Sequence, residues 1–572
     1  MDKLWEIRTP RPEMVQQLAR EARIDPILAT LLVNRGIFDP AEAETFMSPR
    51  LNDLRPPFAL KDAPEAARRI LQALVRREKI LIFGDYDVDG VTSAVVVHDF
   101  LKSLGADVSV YIPHRVREGY GLKPEHVTRY IAPEKFNLVI TVDCGSGSHE
   151  AVTAAARHGI DVIITDHHRV DTPLPKAVAV VNPNRPDCSS GFGHLAGVGV
   201  AYFLVIVLRK HLRDTGLWKN GPEPNLKAFC DLVALGTVAD MAPMIRENRI
   251  LTREGLTLIQ SGRRIPLRAL AESSGTGYES MDAEGVAFRL SPRINAAGRI
   301  DHAELAFDLL RETHLHAARE KAGRLNTLNS HRQRLEKQIL DAIDHRIQRR
   351  PEILKNRTLV LWDPDWHEGV LGIVASKVVE KYHRMAVLFS TRDGMGKGSA
   401  RGVPGLDLFG FLGACRECIE DFGGHETAAG LKVRSADLES FTEAFETTVR
   451  GKSRPEDFIP RILIDCELDF DQITTELADA LEQLKPHGVG NPSPLFFAKN
   501  IRVLSSRVVG KSHRKMRLCQ YTGGRSRILD AIQFNIDPDR PKPEAFSRMA
   551  FRLSWNHWNG QKTLQAVVQE AE

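Results

Sequence analysis

Ile80-Leu81-Ile82-Phe83-Gly84-Asp85-Tyr86-Asp87-Val88-Asp89-Gly90 is an apolar run that ends in three carboxylates within five residues. Four consecutive large apolar residues read as a buried strand, and the acids then sit at its carboxyl end. In α/β proteins that edge is where ligands bind. Two readings stay open on this stretch alone. Clustered Asp side chains bind hard cations, and Asp also makes good turns and helix caps.

Outward from it, strands and helices alternate to about residue 250. Pro64 to Arg77, Val91 to Leu104, Ala151 to His158 and Val198 to Leu208 have helical character. Val108 to Ile112, Leu138 to Val142, Val162 to Thr165 and Val178 to Asn182 read as strands. Such alternation predicts a mostly parallel sheet covered by helices. Two more of these strands end in polar groups, Asp143-Cys144-Gly145 and Asp166-His167-His168, and the apolar helix Phe229 to Leu235 leads to Asp240. Each alone has a bland reading as a cap, a turn or a surface imidazole. Their recurrence at one sheet edge points to a metal centre. Carboxylates with one or two imidazoles suit Mn²⁺ or Mg²⁺, and so many acids repel one another unless divalent cations compensate them. Two such cations support in-line phosphoryl displacement. No Walker-type Gly-Lys-Ser/Thr loop is present, which excludes that class of nucleotide-driven motor.

The 572 residues are too many for one core. Net charge is only +4, so nucleic-acid binding has to be argued from local distribution. Seven scattered cysteines, Cys415 and Cys418 being the one close pair, fit a reducing compartment. Neither a signal peptide nor a membrane span is legible, and a cytoplasmic protein is expected.

The motifs resemble those of the DHH phosphoesterase superfamily: Asp85 to Gly90, Asp143 to Gly145, Asp166 to His168, and Asp240. The resemblance implies a site for two Mn²⁺ or Mg²⁺ ions, with Asp87 and Asp89 on separate metals and Asp143 between them. It places His167 and Asp240 in the second metal's shell. Asp85 becomes a further ligand or a neighbour of the ligands, and His168 lies near the scissile phosphate. Pro113 to Leu122, a Gly-bearing loop with Arg115, Arg117 and Tyr120, suits a phosphate. So does Ser291 to Arg299, where Arg293 and Arg299 flank small residues. Both stretches resemble the bacterial single-stranded-DNA exonuclease branch of the superfamily more than its short phosphodiesterases.

Residues 302–350 have helical spacing throughout and predict one long connecting helix with a basic face, ended by Pro351. A second α/β unit follows, with Gly396 to Arg401 and Gly423-Gly-His-Glu-Thr-Ala-Ala-Gly430. The latter resembles the DHHA1 domain, which implies substrate positioning by Ser399, Arg401 and His425. The last segment shows short strands with turns at Gly523-Gly524 and Asn559-Gly560, the pattern of a small OB-type barrel. Arg461 to Leu468 reads as one of its strands. Residues 501–530 carry eight Lys or Arg against one Asp, locally +7. Within them Lys511-Ser-His-Arg514-Lys515 reads as a loop gripping phosphates, and Tyr521, Trp555 and Trp558 are candidate base-stacking rings. Gly488 to Phe496 also resembles this branch, although His487 stands where an aromatic residue is commoner.

The expected organisation is α/β and multidomain. It comprises a helical lead-in (1–60), a parallel-sheet DHH domain (61–301), the connecting helix (302–350), a DHHA1 domain (351–455) and an OB-fold barrel (456–572). The resemblance implies 5′→3′ hydrolysis of single-stranded DNA to 5′-mononucleotides in repair and recombination. A monomer is expected, with single-strand-binding protein and a helicase as candidate partners. Two alternatives stay open: a phosphodiesterase on short oligonucleotides or cyclic dinucleotides, and a DNA-binding scaffold without catalysis.

Overall fold

The computed structural model describes residues 3–170, 173–218, 222–510, 512–522, 525–537, 542–558 and 561–572. The chain forms two compact units. One holds Pro57–Asp240 and Leu258–Pro460; the other holds Leu4–Pro56, Met241–Thr257 and Arg461–Glu572. Strand β1 (Leu4–Ile7) and helices Pro12–Ala22, Pro26–Val33 and Pro40–Met47 open the chain and belong to the second unit.

The first unit begins with five strands: β2 (Ile80–Gly84), β3 (Val108–Tyr111), β4 (Leu138–Val142), β5 (Asp161–Thr165) and β6 (Ala179–Val181). They pair in the order β3-β2-β4-β5-β6, parallel throughout. Every residue of β2 and β4 is buried, as an all-apolar run requires when both faces of a sheet are covered. Because the strands are parallel, Asp85, Asp143 and Asp166, each the residue after its strand, reach the same edge. Helices Val88–Ser103, Gly197–Asp214 and Cys230–Ala239 pack together beside it.

The helical run expected over 302–350 is two helices, Glu304–Leu310 and Leu315–Arg349. The Glu312 carboxylate accepts hydrogen bonds from the Thr313 and His314 backbone N–H groups at 2.9 and 3.0 Å, holding the break open. Along the longer helix the buried stripe includes Ala318, Ala322, Leu325, Ile339, Ile343 and Ile347, and also Asn329 and Glu336. The second α/β domain of this unit has β7 (Thr358–Asp363), β8 (Met385–Arg392), β9 (Met395–Arg401), β10 (Asp421–His425) and β11 (Ala428–Arg434). Their order is β10-β11-β9-β8-β7, with β7 and β8 parallel and the remaining pairs antiparallel.

In the second unit β12 (Arg461–Ile464) pairs in parallel with β1. The single strand expected over Arg461 to Leu468 is interrupted at Asp465. Its N–H donates to the Leu495 carbonyl at 2.7 Å, and its carboxylate accepts from the Leu495 N–H at 3.0 Å. Strand β13 (Cys466–Glu467) then pairs with β14 (Phe496–Val509). Strands β15 (His513–Thr522), β16 (Arg525–Gln533), β17 (Ala545–Trp558) and β18 (Gln561–Ala571) complete the barrel. It closes as β14-β15-β16-β18-β17, with β17 returning to β14. The opening helices are not a separate lead-in. Leu28, Leu31 and Leu32 share one apolar core with Phe496, Met516, Leu518 and Phe551 of the barrel. Among the described residues no helix is long and apolar enough to cross a membrane.

Candidate metal centre and phosphate cleft

In Asp85 to Gly90 the capping reading is seen directly, and it leaves the carboxylates grouped for the other. Asp87 is the N-cap of the Val88–Ser103 helix, and its Oδ1 accepts the Gly90 N–H at 3.1 Å. Asp89 lies in the first turn, where its oxygens accept the Gly197 and Val198 N–H groups at 2.6 and 2.8 Å. It therefore sits on the positive N-terminus of the Gly197–Asp214 helix. A Cβ on Gly197 would stand 2.5 Å from Asp143 Oδ1, and one on Gly236 would stand 2.9 Å from Asp89 Oδ1. Glycine at both positions lets two helices close on the carboxylates.

Asp143 has φ +60°, the left-handed region that Asp tolerates better than most residues. Its carbonyl accepts the Tyr120 hydroxyl at 3.1 Å, and its N–H donates to the Thr165 carbonyl at 3.0 Å. His167 Nε2 lies 3.2 Å from Asp143, 3.8 Å from Asp89 and 3.9 Å from Asp240. Among the described residues, three groups have ligand atoms within 4.8 Å of one another: Asp85, Asp87 and Asp143; Asp89, His167 and Asp240; and Asp143, His167 and His168. The first two sets together contain all six residues picked as ligands from the sequence.

The electrostatics follow from this crowding. Burial and then the neighbouring Asp87 raise Asp89 to about 7, and burial with Asp89 and Asp87 raises Asp240 to about 8. Burial and then the surrounding carboxylates push Asp143 well up, and burial with Asp87 does the same to Asp85. Burial and the His168 charge lower His167 to about 4, so it is neutral with a lone pair to offer. Asp85 Oδ1, Asp143 Oδ1 and His167 Nε2 are buried without any hydrogen-bond partner. Buried polar atoms rarely stay unpaired. Three of them at one sheet edge, in a hard-oxygen and imidazole set, fit divalent Mn²⁺ or Mg²⁺.

Asp166 takes a different part. One oxygen accepts from the His167 and His168 N–H groups and from His168 Nδ1, at 2.8, 3.1 and 2.7 Å; the other accepts the Ser146 N–H at 3.0 Å. These bonds outweigh burial and hold its carboxyl below the usual range. Burial opposes charge on His168, but the Asp166 bond and charge prevail and raise it to about 9. Asn184 and Asn182 fix the backbone here by donating to the His167 and His168 carbonyls at 2.5 and 2.9 Å. The sequence places Asp166 in the third motif without giving it this orienting part, and Asn182, Asn184, Gly197 and Gly236 carry no expected role at the site. The available signals were the Asn182-Pro-Asn184 run directly after β6 and the Gly197-Val-Gly199 run that opens the next helix.

Beside the carboxylates lies a group of guanidiniums. Arg115 lies over the Tyr86 ring at 4.7 Å. Burial, then Arg115, Arg332 and Arg401, push Arg299 down to about 9, with Asp87 acting the other way. Burial and Arg115 lower Arg401. Ser399 is two residues from Arg401 along β9 and so shares its face. His425, at the end of β10, stacks on His168 with centroids 6.3 Å apart, so the second α/β domain reaches the metal centre. Arg293 is set back: its Nε donates to Asn326 and its Nη1 to the Arg289 carbonyl, at 3.0 and 2.6 Å. The stretch Ser291–Ile300 that carries it is a helix rather than a loop.

The barrel residues differ most from expectation. His513, Arg514 and Lys515 lie in β15, not in a loop, and Lys511 lies outside the described residues. Arg514 is only 3% exposed and donates to Ser506 Oγ and the Pro543 carbonyl at 3.3 and 2.7 Å, so it does not grip a strand. Lys515 remains partly open. Tyr521 is exposed, and Lys562 Nζ lies 3.9 Å from the centroid of the Trp555 ring. The Trp558 side chain and the turns at 523–524 and 559–560 lie outside the described residues.

Residues 79–237 match the DHH family, N-terminal domain; 355–451 match the DHHA1 domain; 464–570 match the RecJ OB domain. The chain is 36% identical to the single-stranded-DNA-specific exonuclease RecJ of Salmonella typhimurium over 565 residues, 96% of each protein. It is 36% identical to the Bacillus subtilis protein of that name over 99% of this chain and 70% of the relative. The crystal structure of Thermus thermophilus RecJ in complex with Mn²⁺ superposes with a TM-score of 0.83 at 29% identity, covering 100% of this chain and 79% of the other. The Mg²⁺ complex of the same protein gives 0.76 at 28% identity, covering 99% and 78%.

Proposed function

This chain belongs to the RecJ family of DHH phosphoesterases, and from that premise we propose that it is a metal-dependent exonuclease that removes 5′-mononucleotides from single-stranded DNA in the 5′→3′ direction. The observation that carries the reading is the uncompensated acid cluster set directly beside an uncompensated guanidinium cluster. Asp85, Asp87 and Asp143 would hold one ion and Asp89, His167 and Asp240 the other, with Asp143 between the two. When bound, Mn²⁺ or Mg²⁺ activates water and neutralises charge building on the phosphate oxygens.

The chain's own residues supply the rest. Arg115, Arg299 and Arg401, with Ser399, receive the terminal 5′-phosphate and set the register of one nucleotide. His168, charged through Asp166, faces the phosphate under attack, and His425 covers it. Water adds to phosphorus and the bond to the 3′-oxygen of the first nucleotide breaks; a proton ends on that oxygen. The new end carries the 5′-phosphate that the arginines bind next. The two α/β domains meet across this site, through His168 and His425 and through Arg299, whose Nη1 donates to the Gly369 carbonyl at 3.3 Å. A passage there admits one strand and excludes a duplex. Barrel cations including Lys515 hold the distal strand. Single-strand-binding protein and a strand-separating helicase are the partner classes this activity calls for, in the cytoplasm, with the enzyme acting as a monomer.

Digestion of 5′- and 3′-labelled strands with Mn²⁺, Mg²⁺ or chelator tests the reading. The 5′ label should leave as mononucleotide from the first turnover while the 3′ label stays on shortening strands. Early loss of the 3′ label, or equal rates on blunt duplex, would refute it.

A further inference from the structure

The Ser291–Ile300 helix that carries Arg299 is preceded by a π-helical turn, Val286–Leu290. Wide turns of this kind often mark functional sites. Phe288, within that turn, is 71% exposed, more than any other Phe or Tyr among the described residues. One exposed apolar residue is ordinary by itself; the setting of Phe288 is not. Phe288 and Arg299 are eleven residues apart, about three helical turns, and therefore share a face some ~16 Å long. Pro292, Asn295, Arg299 and the terminal Ile300 are the partly open positions of that helix, whereas Leu290, Ser291, Arg293, Ile294 and 296–298 are buried. The open face thus runs without interruption from Phe288 to the phosphate cleft.

Positive charge lies behind this face and emerges at its outer end. Arg289 is exposed beside Phe288, and Arg293 Nη1 donates to its carbonyl at 2.6 Å. Arg293 feels the repulsion of both Arg289 and Arg332, and Arg299 feels that of Arg332, Arg115 and Arg401. A solvated charge run would let such groups spread apart. Here Arg332 is pinned instead, by Asn329 and Glu336 at 2.7 and 2.8 Å. The result is a largely buried row of guanidiniums, Arg299, Arg332 and Arg293, behind the open face, with Arg289 and the bare Phe288 ring exposed at its outer end. Backbone-tracking charge with an aromatic platform is the general device for holding unpaired strands.

We propose that Phe288 stacks on an unpaired base of the substrate, a few nucleotides from the bond being cut, while Arg289 holds the adjoining phosphate. This rests on the single-strand exonuclease reading above. A base inside a duplex has both faces covered, so Phe288 adds a selection for single strands outside the cleft itself. Any base offers a ring face, so the selection is independent of sequence.

The test uses 5′-phosphorylated oligothymidylate of about a dozen nucleotides with one abasic site moved stepwise inward from the 5′ end. The unsubstituted enzyme should show a KM maximum when the gap reaches Phe288, by about tenfold. Phe288→Ala should raise KM on the intact strand by a similar factor, alter kcat less, and flatten that inner maximum. Phe288→Trp should keep the maximum and add a tryptophan signal that strand binding quenches. An unchanged KM and an unchanged abasic profile in Phe288→Ala would overturn the stacking role. Failure of the unsubstituted enzyme to degrade the strand would instead overturn the exonuclease reading and the proposal with it.

Discussion

Two deeply placed arginines, Arg249 in the second unit and Arg299 in the first, are both pushed down to about 9 by burial and by neighbouring guanidiniums. Their surroundings differ in one respect. Arg249 donates to the carbonyls of Phe46, Leu484, Pro486 and Gln483 at 2.8, 2.9, 3.1 and 2.8 Å and lies 4.0 Å over the Phe46 ring. Among the described residues the Arg299 side chain makes one hydrogen bond, the long one to Gly369. The same contrast recurs among the acids. Asp166 is satisfied by four donors, whereas Asp143 is left with an unpaired oxygen among other carboxylates. A buried charge that is fully bonded ties the chain together. One that is left short of partners is a place kept for a ligand of opposite sign.

The acids give the largest expected effect. Asp143→Asn should lower kcat on single strands by about a thousandfold or more, because several kcal/mol of transition-state charge stabilisation depend on the ions it would hold. The metal-free protein should lose no stability and should melt at the same or a higher temperature, since a repelled carboxylate has been neutralised. The rise in melting temperature on adding Mn²⁺ should shrink. Activity within tenfold of the unsubstituted enzyme would sink the assignment of Asp143 to the site.

The arginines come next, and in opposite currencies. Arg249→Met should destabilise the second unit by ~3–5 kcal/mol, because four carbonyls lose their donors in a place water does not reach. Denaturant titration followed through Trp5 and Trp555, both in that unit, reads this directly. Arg299→Met should leave stability within about 1 kcal/mol while cutting kcat/KM on 5′-phosphorylated strands by ~100-fold. Its effect on strands with a 5′-hydroxyl should be smaller. If the two substitutions destabilise alike, the distinction between a bonded and a waiting guanidinium fails.

The acids of the first unit were legible because each follows an apolar run. Ile80 to Phe83, Leu138 to Val142 and Val162 to Thr165 are unambiguous as buried strands, and parallel pairing then forces Asp85, Asp143 and Asp166 to one edge. What the sequence hides is which charged residue is satisfied. Arg514 sits in a basic run that reads as an exposed grip. In β15, however, it alternates with Lys515 and falls on the same side as Met516, Leu518 and Gln520, all buried. Strand register decides its fate, and a segment with polar residues on both faces does not announce its register. Glu336 is hidden for a similar reason. It occupies a buried helix position in a run that looks charged all round, and only the fold brings Lys377 within 2.7 Å of it. Arg249 depends on carbonyls more than two hundred residues away in both directions. No local pattern encodes such partners.

The smallest effect probes how finely the waiting guanidiniums are placed. Gly372 lies in the Glu368–Tyr382 helix, and a Cβ there would come 2.7 Å from Arg401 Nη2. Away from such a contact, Gly→Ala inside a helix stabilises by ~0.5–1 kcal/mol through the backbone entropy of the unfolded chain. Here the clash is with the far end of a side chain, which can swing aside at little cost to folding. Gly372→Ala should therefore hold or slightly raise the melting temperature of the first unit while displacing Arg401 from the anion it is set to receive. KM for a 5′-phosphorylated strand should rise by ~3–10-fold with kcat nearly unchanged, the signature of lost uniform binding. KM for a 5′-hydroxyl strand should barely move. A glycine kept in a helix at a cost in stability is explained only if that gap serves ligand binding. An equal rise in KM for both strand types would assign Gly372 to helix packing rather than to the placement of Arg401.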